Sequence, residues 1–137
     1  MEVLTEVFGK IEVSDNQRIF FAEGLHGATS IRDYILLPVS EDEILYCLQA
    51  KDYPEISFFL IDPFVVKKNF RLQLNESDLQ VVGCESEVLP DEVLVLCPFI
   101  KGNKLGDFDV NFKSPILINR VQQKGKQFIN HADVSVK

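Results

Sequence analysis

The chain has 137 residues, 46% of them hydrophobic, and carries a formal net charge of −7 at pH 7. A chain of this size buries roughly two-thirds of its unfolded surface, so we expect one domain over residues 1–137. The acidic charge argues against direct nucleic-acid binding, because affinity for a phosphate backbone comes mostly from Lys and Arg.

The N-terminal segment predicts a β-hairpin. Val7 and Ile11 share one parity over residues 6–13 while charged side chains occupy the other, which is the pattern of a half-buried strand. A turn at 15–16 leads into a second strand over 18–22, and we expect the two strands to pair. Because the first fifteen residues contain charges and no continuous apolar run, we expect neither a signal peptide nor a membrane anchor.

The middle of the chain predicts further strands and one helix. Three β-rich apolar runs, separated by polar turns, occupy residues 34–39, 44–50 and 57–61. Alternating apolar and polar side chains over 70–74 predict another strand with one solvated face. Asn75 then offers a helix N-cap, so we expect a helix over 76–82 that ends at Gly83.

The C-terminal part predicts four strands, over residues 93–100, 107–112, 115–119 and 127–130. Pro115 stands at the mouth of one of them, and Asn111 and Asn119 bracket it. The step Gly125-Lys126-Gln127 opens the next, so we expect these two strands to pair across a basic turn. Polar loops are expected at 86–92 and 101–106, and the tail 131–137 is expected to fray. The longest apolar run, 93–100, is too short to cross a bilayer, and we expect a cytoplasmic protein without membrane contact.

Nine or ten short strands with one short helix predict a mostly β, single-domain protein, an antiparallel sheet closed into a barrel or folded into a sandwich. Closure would also remove unpaired strand edges. Apolar residues occupy both parities at 35–37, 58–61 and 116–118, which indicates strands covered on two faces. The second face is then either shielded by the helix and loops or offered to a partner.

Reactive side chains are not arranged for catalysis. The three cysteines, Cys47, Cys84 and Cys97, lack the close spacing of a zinc or dithiol site, so we expect buried, reduced thiols. Neither His26 nor His131 has a Cys or carboxylate at ligand spacing. We therefore predict that the protein is not an enzyme and uses no metal or other cofactor.

Two other motifs have plain structural explanations. Gly24 and Gly27 are too close for a phosphate loop and lack the Lys-Ser/Thr step, so they predict a tight loop with positive φ. Three successive acids at 41–43 point to different sides of a turn and are best explained as solvated. The serines also lack the Gly-x-Ser-x-Gly elbow of a hydrolase.

Several strand-end residues leave a structural and a functional interpretation open. In Asp62-Pro63-Phe64 the proline can simply stop a ladder while the phenylalanine packs inward. Asn111 and Asn119 can likewise satisfy local backbone groups with their amides. The residues alone do not decide between these interpretations and a binding role.

A series of short motifs runs along most of the chain, carried by Phe8, Gly9, Ile11, Phe21, Glu23, Gly24, Leu25, Gly27, Leu48, Gln49, Pro54, Phe58, Asp62, Pro63, Phe64, Asn111, Phe112, Ser114, Pro115, Ile116, Ile118, Asn119, Gly125, Lys126 and Gln127. In order and spacing these motifs resemble the flagellar assembly factor family FliW. His26, Ala28 and Cys47 depart from the family pattern, which indicates a divergent member.

The resemblance implies a β-barrel-like cytoplasmic protein with two alternative partners. These are flagellin and the RNA-binding translational repressor CsrA, which the family member takes up once flagellin has been exported. Such a switch requires that one partner lowers affinity for the other. The resemblance places the partner-binding surface on Leu25, Asp62, Pro63, Phe64, Asn111, Pro115, Ile116 and Asn119. On this hypothesis Ile116→Asp abolishes partner binding and leaves a folded monomer.

Two rival functions remain open at this stage. A single-stranded nucleic-acid binder on an OB-like barrel would use some of the eleven Phe residues, although the net charge opposes it. A small-molecule-binding β-barrel would use the two-sided apolar strands to line a deep, closed cavity.

Overall fold

Ten β-strands and two short α-helices are present in the computed structural model, which describes residues 1–84, 91–101 and 108–133. The strands are β1 (Glu2–Thr5), β2 (Gly9–Glu12), β3 (Arg18–Phe20), β4 (Asp33–Pro38), β5 (Leu45–Ala50), β6 (Ser57–Ile61), β7 (Val93–Lys101), β8 (Phe108–Val110), β9 (Ile116–Asn119) and β10 (Lys124–Gln127). The helices α1 (Pro63–Val66) and α2 (Glu76–Val81) lie between β6 and β7 in the chain. Short 3₁₀ turns occupy Asp15–Gln17 and His131–Asp133.

Seven strands close into a barrel in the order β6-β5-β4-β3-β10-β9-β7, and β7 returns to pair with β6. The closing contact is antiparallel, with Leu60 opposite Pro98 and Ile61 opposite Cys97. β3 and β10 form the one parallel contact among these barrel strands, at Phe20 and Lys124. The predicted barrel-like fold is therefore confirmed, with this single parallel joint added to an otherwise antiparallel ring.

β7 is the nine-residue strand that pairs with three other strands. Its first half pairs with β9, its middle with β6, and its last residues with β8. As a result β7 and β8 form a hairpin that continues beyond the barrel wall. This hairpin forms one side of the groove described below.

Large apolar side chains fill the barrel interior. The fully or nearly fully buried members are Ile19, Phe21, Leu25, Tyr34, Leu36, Tyr46, Leu48, Ala50, Leu60, Leu96, Ile116 and Ile118. The rings of Phe21 and Tyr34 meet edge to face with centroids 5.3 Å apart. Such pairs favour a defined arrangement over a loosely packed interior.

Two outer faces of the barrel are covered by other parts of the chain. The β1–β2 hairpin packs Val3 against Ile35 and Cys47 on the outside of β4 and β5. α2 packs Leu79 on Leu117 of β9, in a second cluster on the outside of the barrel. Shielding, one of the two predicted fates of a second apolar face, is thus confirmed for these two faces.

The N-terminal hairpin is formed by a different pair of strands from the predicted pair, so the predicted pairing is wrong. β2 pairs with β1, where Val3 lies opposite Ile11, whereas β3 pairs with β4 and β10. The turn between β1 and β2 is fixed by Thr5, whose hydroxyl donates to the Gly9 carbonyl and accepts from the Phe8 amide, both at 2.8 Å. Period-two alternation identifies a strand but does not select its neighbour.

Residues 70–74 alternate as a strand does, yet they form no strand. The side chain of Asn130 supplies bonds to this segment that a neighbouring strand would otherwise provide. Its Oδ1 accepts from the Gln73 amide at 3.0 Å and its Nδ2 donates to the Arg71 carbonyl at 2.8 Å. The predicted strand is therefore incorrect.

The predicted helix is confirmed as α2. The Asn75 side chain accepts from the Asp78 amide at 2.8 Å, and Gly83 follows with φ +76°. The step Gly125-Lys126-Gln127 also lies in a strand paired with β9, as predicted, but that strand is Lys124–Gln127 rather than 127–130.

Most of the two predicted polar loops and the end of the tail lie outside the described residues. Within the described residues, no helix has the length and apolar character that a membrane span requires.

Candidate functional site

The segment Asp62-Pro63-Phe64 begins a helix that sequence reasoning assigned to a strand end. The Asp62 carboxylate accepts a hydrogen bond from the Phe64 amide at 2.9 Å, and Pro63 occupies the first helical position. An aspartate N-cap followed by proline is a recognised helix start. α1 is one turn long, and it leaves Phe64, Val65 and Val66 exposed by 52%, 56% and 46%.

A row of aromatic rings extends from α1 across the outside of the barrel. The Phe64 ring meets the buried Phe70 ring edge to face at 5.1 Å, and Phe70 lies 5.9 Å from Phe112. The Lys67 ammonium stands 4.9 Å from the centroid of the Phe112 ring, within cation–π range. The row therefore joins the exposed Phe64 of α1 to the half-buried Phe112 ring.

Phe112 lines an open groove of about 890 Å³ between β6, the β7–β8 hairpin and the residues that follow β8. Its apolar walls are formed by Phe58, Phe59, Pro98, Phe99, Ile100, Val110 and Phe112. The Phe59 and Phe99 rings meet across the β6–β7 joint at a tilt of 49°, with centroids 6.3 Å apart. Unlike the faces under the β1–β2 hairpin and α2, this face is open in the part of the chain that the structure describes.

Asn111 also lines the groove, at the turn that follows β8. Its backbone amide donates to the Pro98 carbonyl at 2.8 Å, and its side-chain oxygen accepts from the amides of Lys113 and Ser114 at 3.2 and 3.1 Å. The amide therefore holds the turn between β8 and β9. Asn111 therefore satisfies local backbone groups, as its structural interpretation holds, and also lines the groove.

Five of the predicted partner-binding residues lie inside the protein: Leu25, Pro63, Pro115, Ile116 and Asn119. Leu25 and Ile116 belong to the interior core, at 2% and 1% exposure. A partner could reach these two side chains only if the barrel opened. Of the predicted set, the structure brings Asp62, Phe64 and Asn111 to the outside, where the aromatic row links Phe64 to the neighbourhood of Asn111.

Asn119 ties α2 to the turn between β9 and β10. Its Nδ2 donates to the Val82 carbonyl at 2.8 Å, while its Oδ1 accepts from the amides of Val121 and Gln122, both at 3.1 Å. A side chain that is only 5% exposed and makes three backbone bonds is a structural residue.

Two motifs far apart in sequence meet beside Asp78, in the first turn of α2. Lys126 bridges Glu23 at 3.2 Å and Asp78 at 3.1 Å, and Gln127 accepts from the His26 amide at 2.8 Å. Burial alone would lower the pKa of Lys126, but hydrogen bonds to Asp78 and Glu23 outweigh it and raise that pKa. The loop that carries Gly24 and Gly27, with φ of +66° and +84° as predicted, is thus fastened to β10.

A smaller acidic recess lies beside Phe64. It has a volume of about 310 Å³, and Glu43, Asp62 and Asp91 contribute carboxylates to its lining. Arg120 is an ion-pair partner of Glu43 at 3.7 Å. Asp62 and Phe64 therefore both line the acidic recess, and Phe64 also begins the aromatic row that leads to the groove.

Sequence reasoning missed Lys67 and Phe112 as groove residues, and the buried Phe70 as the ring that links Phe64 to Phe112. The helix-start pattern at Asp62 and Pro63 was a signal in the sequence that could have predicted α1. The contact between Phe70 and Phe112 had no such signal, because it joins residues far apart in sequence. The cysteines are buried and unpaired with one another, as predicted, and burial raises the pKa of Cys47 to about 11. No cluster suited to a metal ion occurs among the described residues.

Comparison with known proteins identifies the family. A family model described as FliW protein matches residues 2–137. The chain belongs to the FliW family. The flagellar assembly factor FliW of Bacillus licheniformis is 30% identical over 134 residues, covering 96% of this chain and 90% of that protein. FliW of Leptospira interrogans serovar copenhageni is 31% identical over 130 residues, covering 95% and 85%.

The fold is that of FliW as well. A solved crystal structure of the flagellar assembly factor FliW superposes with a TM-score of 0.83 at 24% identity, over 96% of this chain and 89% of that one. The family resemblance carried by the sequence motifs is therefore confirmed, and the chain is a flagellar assembly factor of the FliW family.

Proposed function

We propose that this protein is a cytoplasmic, non-enzymatic regulator that binds two proteins in alternation. Flagellin occupies it while unsecreted; after flagellin export, the freed protein binds the translational repressor CsrA and relieves repression of flagellin synthesis. The observation that supports a protein-binding role is the open apolar groove beside α1, on a barrel that covers other outer apolar faces with its own chain.

The groove has the character of a docking surface. Phe64, Val65 and Val66 expose apolar side chains beside it, and Ile100 is 68% exposed on its wall. Contiguous exposed apolar surface of this kind marks interaction sites in soluble proteins. Flagellin fits as the partner because the family consists of flagellar assembly factors.

The charge supports a basic second partner. The chain carries −7, and the recess beside Phe64 contains the carboxylates of Glu43, Asp62 and Asp91. An RNA-binding repressor presents a basic surface, and complementary charge accelerates the association of two proteins. The same acidity argues against direct nucleic-acid binding, and neither membrane nor cofactor enters the proposal.

The two rival functions receive less support. Core side chains fill the barrel interior, whereas a small-molecule carrier needs a closed cavity there. An OB-like nucleic-acid binder needs a basic groove, and a gel shift with single-stranded RNA at physiological salt tests that alternative.

Calorimetric titration tests the proposal directly. The protein is titrated with monomeric flagellin, and the resulting complex is then titrated with CsrA. We expect heat in the first titration and a suppressed signal in the second, because flagellin lowers affinity for CsrA. Heat from neither partner, or full CsrA binding to the flagellin complex, contradicts the proposal.

A matched pair of variants locates the surface. Phe64→Asp places a charge at the exposed end of the aromatic row. Phe20→Asp is the control, because it places the same charge at a 45%-exposed phenylalanine on β3, across the barrel from β6 and β7. We expect only Phe64→Asp to weaken binding, by roughly tenfold or more for a central aromatic residue.

A further inference from the structure

Two turns that are distant in sequence lie side by side and carry exposed apolar side chains. Val7 and Phe8, in the turn between β1 and β2, are 47% and 41% exposed, and Tyr53, in the turn between β5 and β6, is 46% exposed. The Glu6 amide donates to the Pro54 carbonyl at 2.9 Å, which joins the two turns. These apolar side chains and two flanking carboxylates form the hairpin-tip surface: Glu6, Val7, Phe8, Tyr53 and Glu55.

The composition of the β1–β2 turn is unusual for a segment that only reverses the chain. Such turns favour Gly, Pro, Asn, Asp and Ser, because these residues adopt or stabilise the backbone of a turn. Here a β-branched and an aromatic residue, Val7 and Phe8, occupy the turn and are left in contact with water. Aromatic side chains are enriched in protein interfaces, and with Tyr53 this surface presents two of them.

Buried polar side chains fix the backbone of both turns. The buried Thr5 hydroxyl holds the β1–β2 turn through the Phe8 amide and the Gly9 carbonyl. The fully buried Gln49 side chain donates from Nε2 to the Tyr53 carbonyl at 3.0 Å. The exposed side chains therefore stand on backbone that is ordered before a partner arrives, which lowers the entropic cost of binding.

The charged groups of the hairpin-tip surface have an acidic excess. Glu6 and Glu55 are exposed, and neither makes an ion pair within the part of the chain that the structure describes. Lys51, the one cation of the β5–β6 turn, is engaged by Asp52 at 3.4 Å, and Lys10 of β2 pairs with a carboxylate of β1 at 3.6 Å. Two carboxylates without a described cationic partner therefore flank the apolar side chains.

We propose that the hairpin-tip surface docks a partner segment in which an apolar side chain is flanked by arginine or lysine. The inference goes beyond the proposed function, which places docking on the groove and α1. The cations are recognised in two ways, because the Glu6 and Glu55 carboxylates attract them and the rings of Phe8 and Tyr53 offer cation–π contacts. The apolar side chain of the segment covers surface that is otherwise in contact with water.

The experiment uses three short synthetic peptides, each with a central Trp that is flanked on both sides by Arg, Gln or Glu. The protein has no Trp, so the fluorescence of the peptide reports binding to the unmodified chain. Tyr53→Ala removes an aromatic ring from the hairpin-tip surface. Phe64→Ala is the matched control, because it removes a similarly exposed ring from α1, which follows β6, whereas Tyr53 precedes that strand.

We expect the Arg peptide to bind roughly tenfold or more tightly than the Glu peptide, with the Gln peptide between them. Tyr53→Ala should weaken all three peptides, and Phe64→Ala should leave their affinities unchanged. The double variant Glu6→Lys/Glu55→Lys should weaken the Arg peptide roughly tenfold and strengthen the Glu peptide by a similar factor. A general loss of structure cannot mimic this reversal, because it would weaken both peptides.

Equal affinity for the Arg and Glu peptides, no binding of any peptide, or an unchanged preference in the double variant overturns the inference. An equal loss of affinity in Phe64→Ala and Tyr53→Ala also overturns it, because the peptide would then not be specific to the hairpin-tip surface. A wild-type protein that sediments as a dimer, with Tyr53→Ala monomeric, identifies a second copy of the chain as the occupant and overturns it as well. None of these measurements uses flagellin or CsrA, so the inference and the proposed function fail independently.

Discussion

At the residue scale, Gly125 is required by a neighbouring side chain. A Cβ built at this position would lie 2.4 Å from Cζ of Phe21, a ring that is fully buried in the core. The ring cannot move without disturbing its edge-to-face contact with Tyr34. We therefore expect Gly125→Ala to reduce the free energy of unfolding by about 1–3 kcal/mol, as overpacked cores do, measured by urea denaturation.

A double-mutant cycle separates this steric effect from a backbone effect. Phe21→Leu removes the atoms that a Cβ at Gly125 would meet, so the double variant should be more stable than the sum of the single changes predicts. Gly27→Ala serves as the control, because its φ of +84° strains any side chain while nothing lies within 4 Å of the added Cβ. Additive costs for Gly125 and Phe21 would show that the ring is not the cause.

Tyr34 provides a second residue-level prediction. Its hydroxyl is buried, has no hydrogen-bond partner among the described residues, and burial raises its pKa to about 12. An unfolded tyrosine ionises near pH 10, so the folded state loses stability as the pH rises from about 10 through 12. Tyr34→Phe should flatten this decline and leave stability at neutral pH unchanged or raised by about 1 kcal/mol.

Denaturation midpoints measured between pH 8 and pH 11.5 check the Tyr34 prediction. Some alkaline decline should persist in Tyr34→Phe, because burial also raises the pKa of Cys47, to about 11. A variant whose midpoint follows the wild type at every pH would show that Tyr34 is not responsible for the alkaline loss.

At the element scale, strands were predictable where burial on both faces left a continuous apolar run. β4, β5, β6, β7 and β9 lie close to their predicted bounds. Which strands pair was harder to predict from the sequence. The partner of β2 depends on a turn built by Thr5 and Gly9, and alternation does not reveal it. Residues 70–74 have strand-like alternation, but the side chain of Asn130 takes the place of a neighbouring strand.

The candidate site was predictable only in part, because sequence motifs mix residues of two kinds. Asn119 and Gly125 serve the packing of the barrel, whereas Phe64 and Asn111 lie at its surface. A motif alone does not reveal which way a side chain points. The groove itself depends on the pairing of β6 with β7, which residues distant in sequence establish.

The difference between inward and outward motif residues gives a prediction for α1. Phe64→Asp should change the free energy of unfolding by about 1 kcal/mol or less, because Phe64 is 52% exposed. Ile116→Asp should instead cost roughly 4 kcal/mol or more, because it buries a carboxylate in the barrel core. The expectation that Ile116→Asp leaves a folded monomer is therefore replaced by Phe64→Asp as the test of binding.

Thermal melts and flagellin titrations of both variants check this prediction. Phe64→Asp should melt near the wild type and bind weakly, while Ile116→Asp should be unfolded or strongly destabilised. A folded Ile116→Asp that had lost only binding would restore Ile116 to the partner surface.

At the scale of the whole molecule, closure of the barrel leaves the β7–β8 hairpin and α1 as projections around one face. Because other outer apolar faces are covered by the β1–β2 hairpin and α2, this open face is the one that we propose for partner binding. Phe64 of α1 lines the acidic recess, and Lys67, the residue that follows α1, lines the groove. Two partners that both contact α1 would therefore exclude one another, which gives the proposed switch a physical route.

This arrangement predicts that ionic strength affects the two partners unequally. If CsrA is the basic partner that we propose, its association rate with this chain of net charge −7 should fall steeply between about 0.05 and 0.5 M salt, as the Debye length shrinks from roughly 14 Å to 4 Å. Flagellin, if it docks on the apolar groove as proposed, should lose much less affinity, because burial of apolar surface is not screened by salt. Stopped-flow association rates and equilibrium titrations over this range provide the measurement. A CsrA complex insensitive to salt would contradict the electrostatic explanation, and a flagellin complex as sensitive as that of CsrA would show that charge, not apolar burial, dominates the groove.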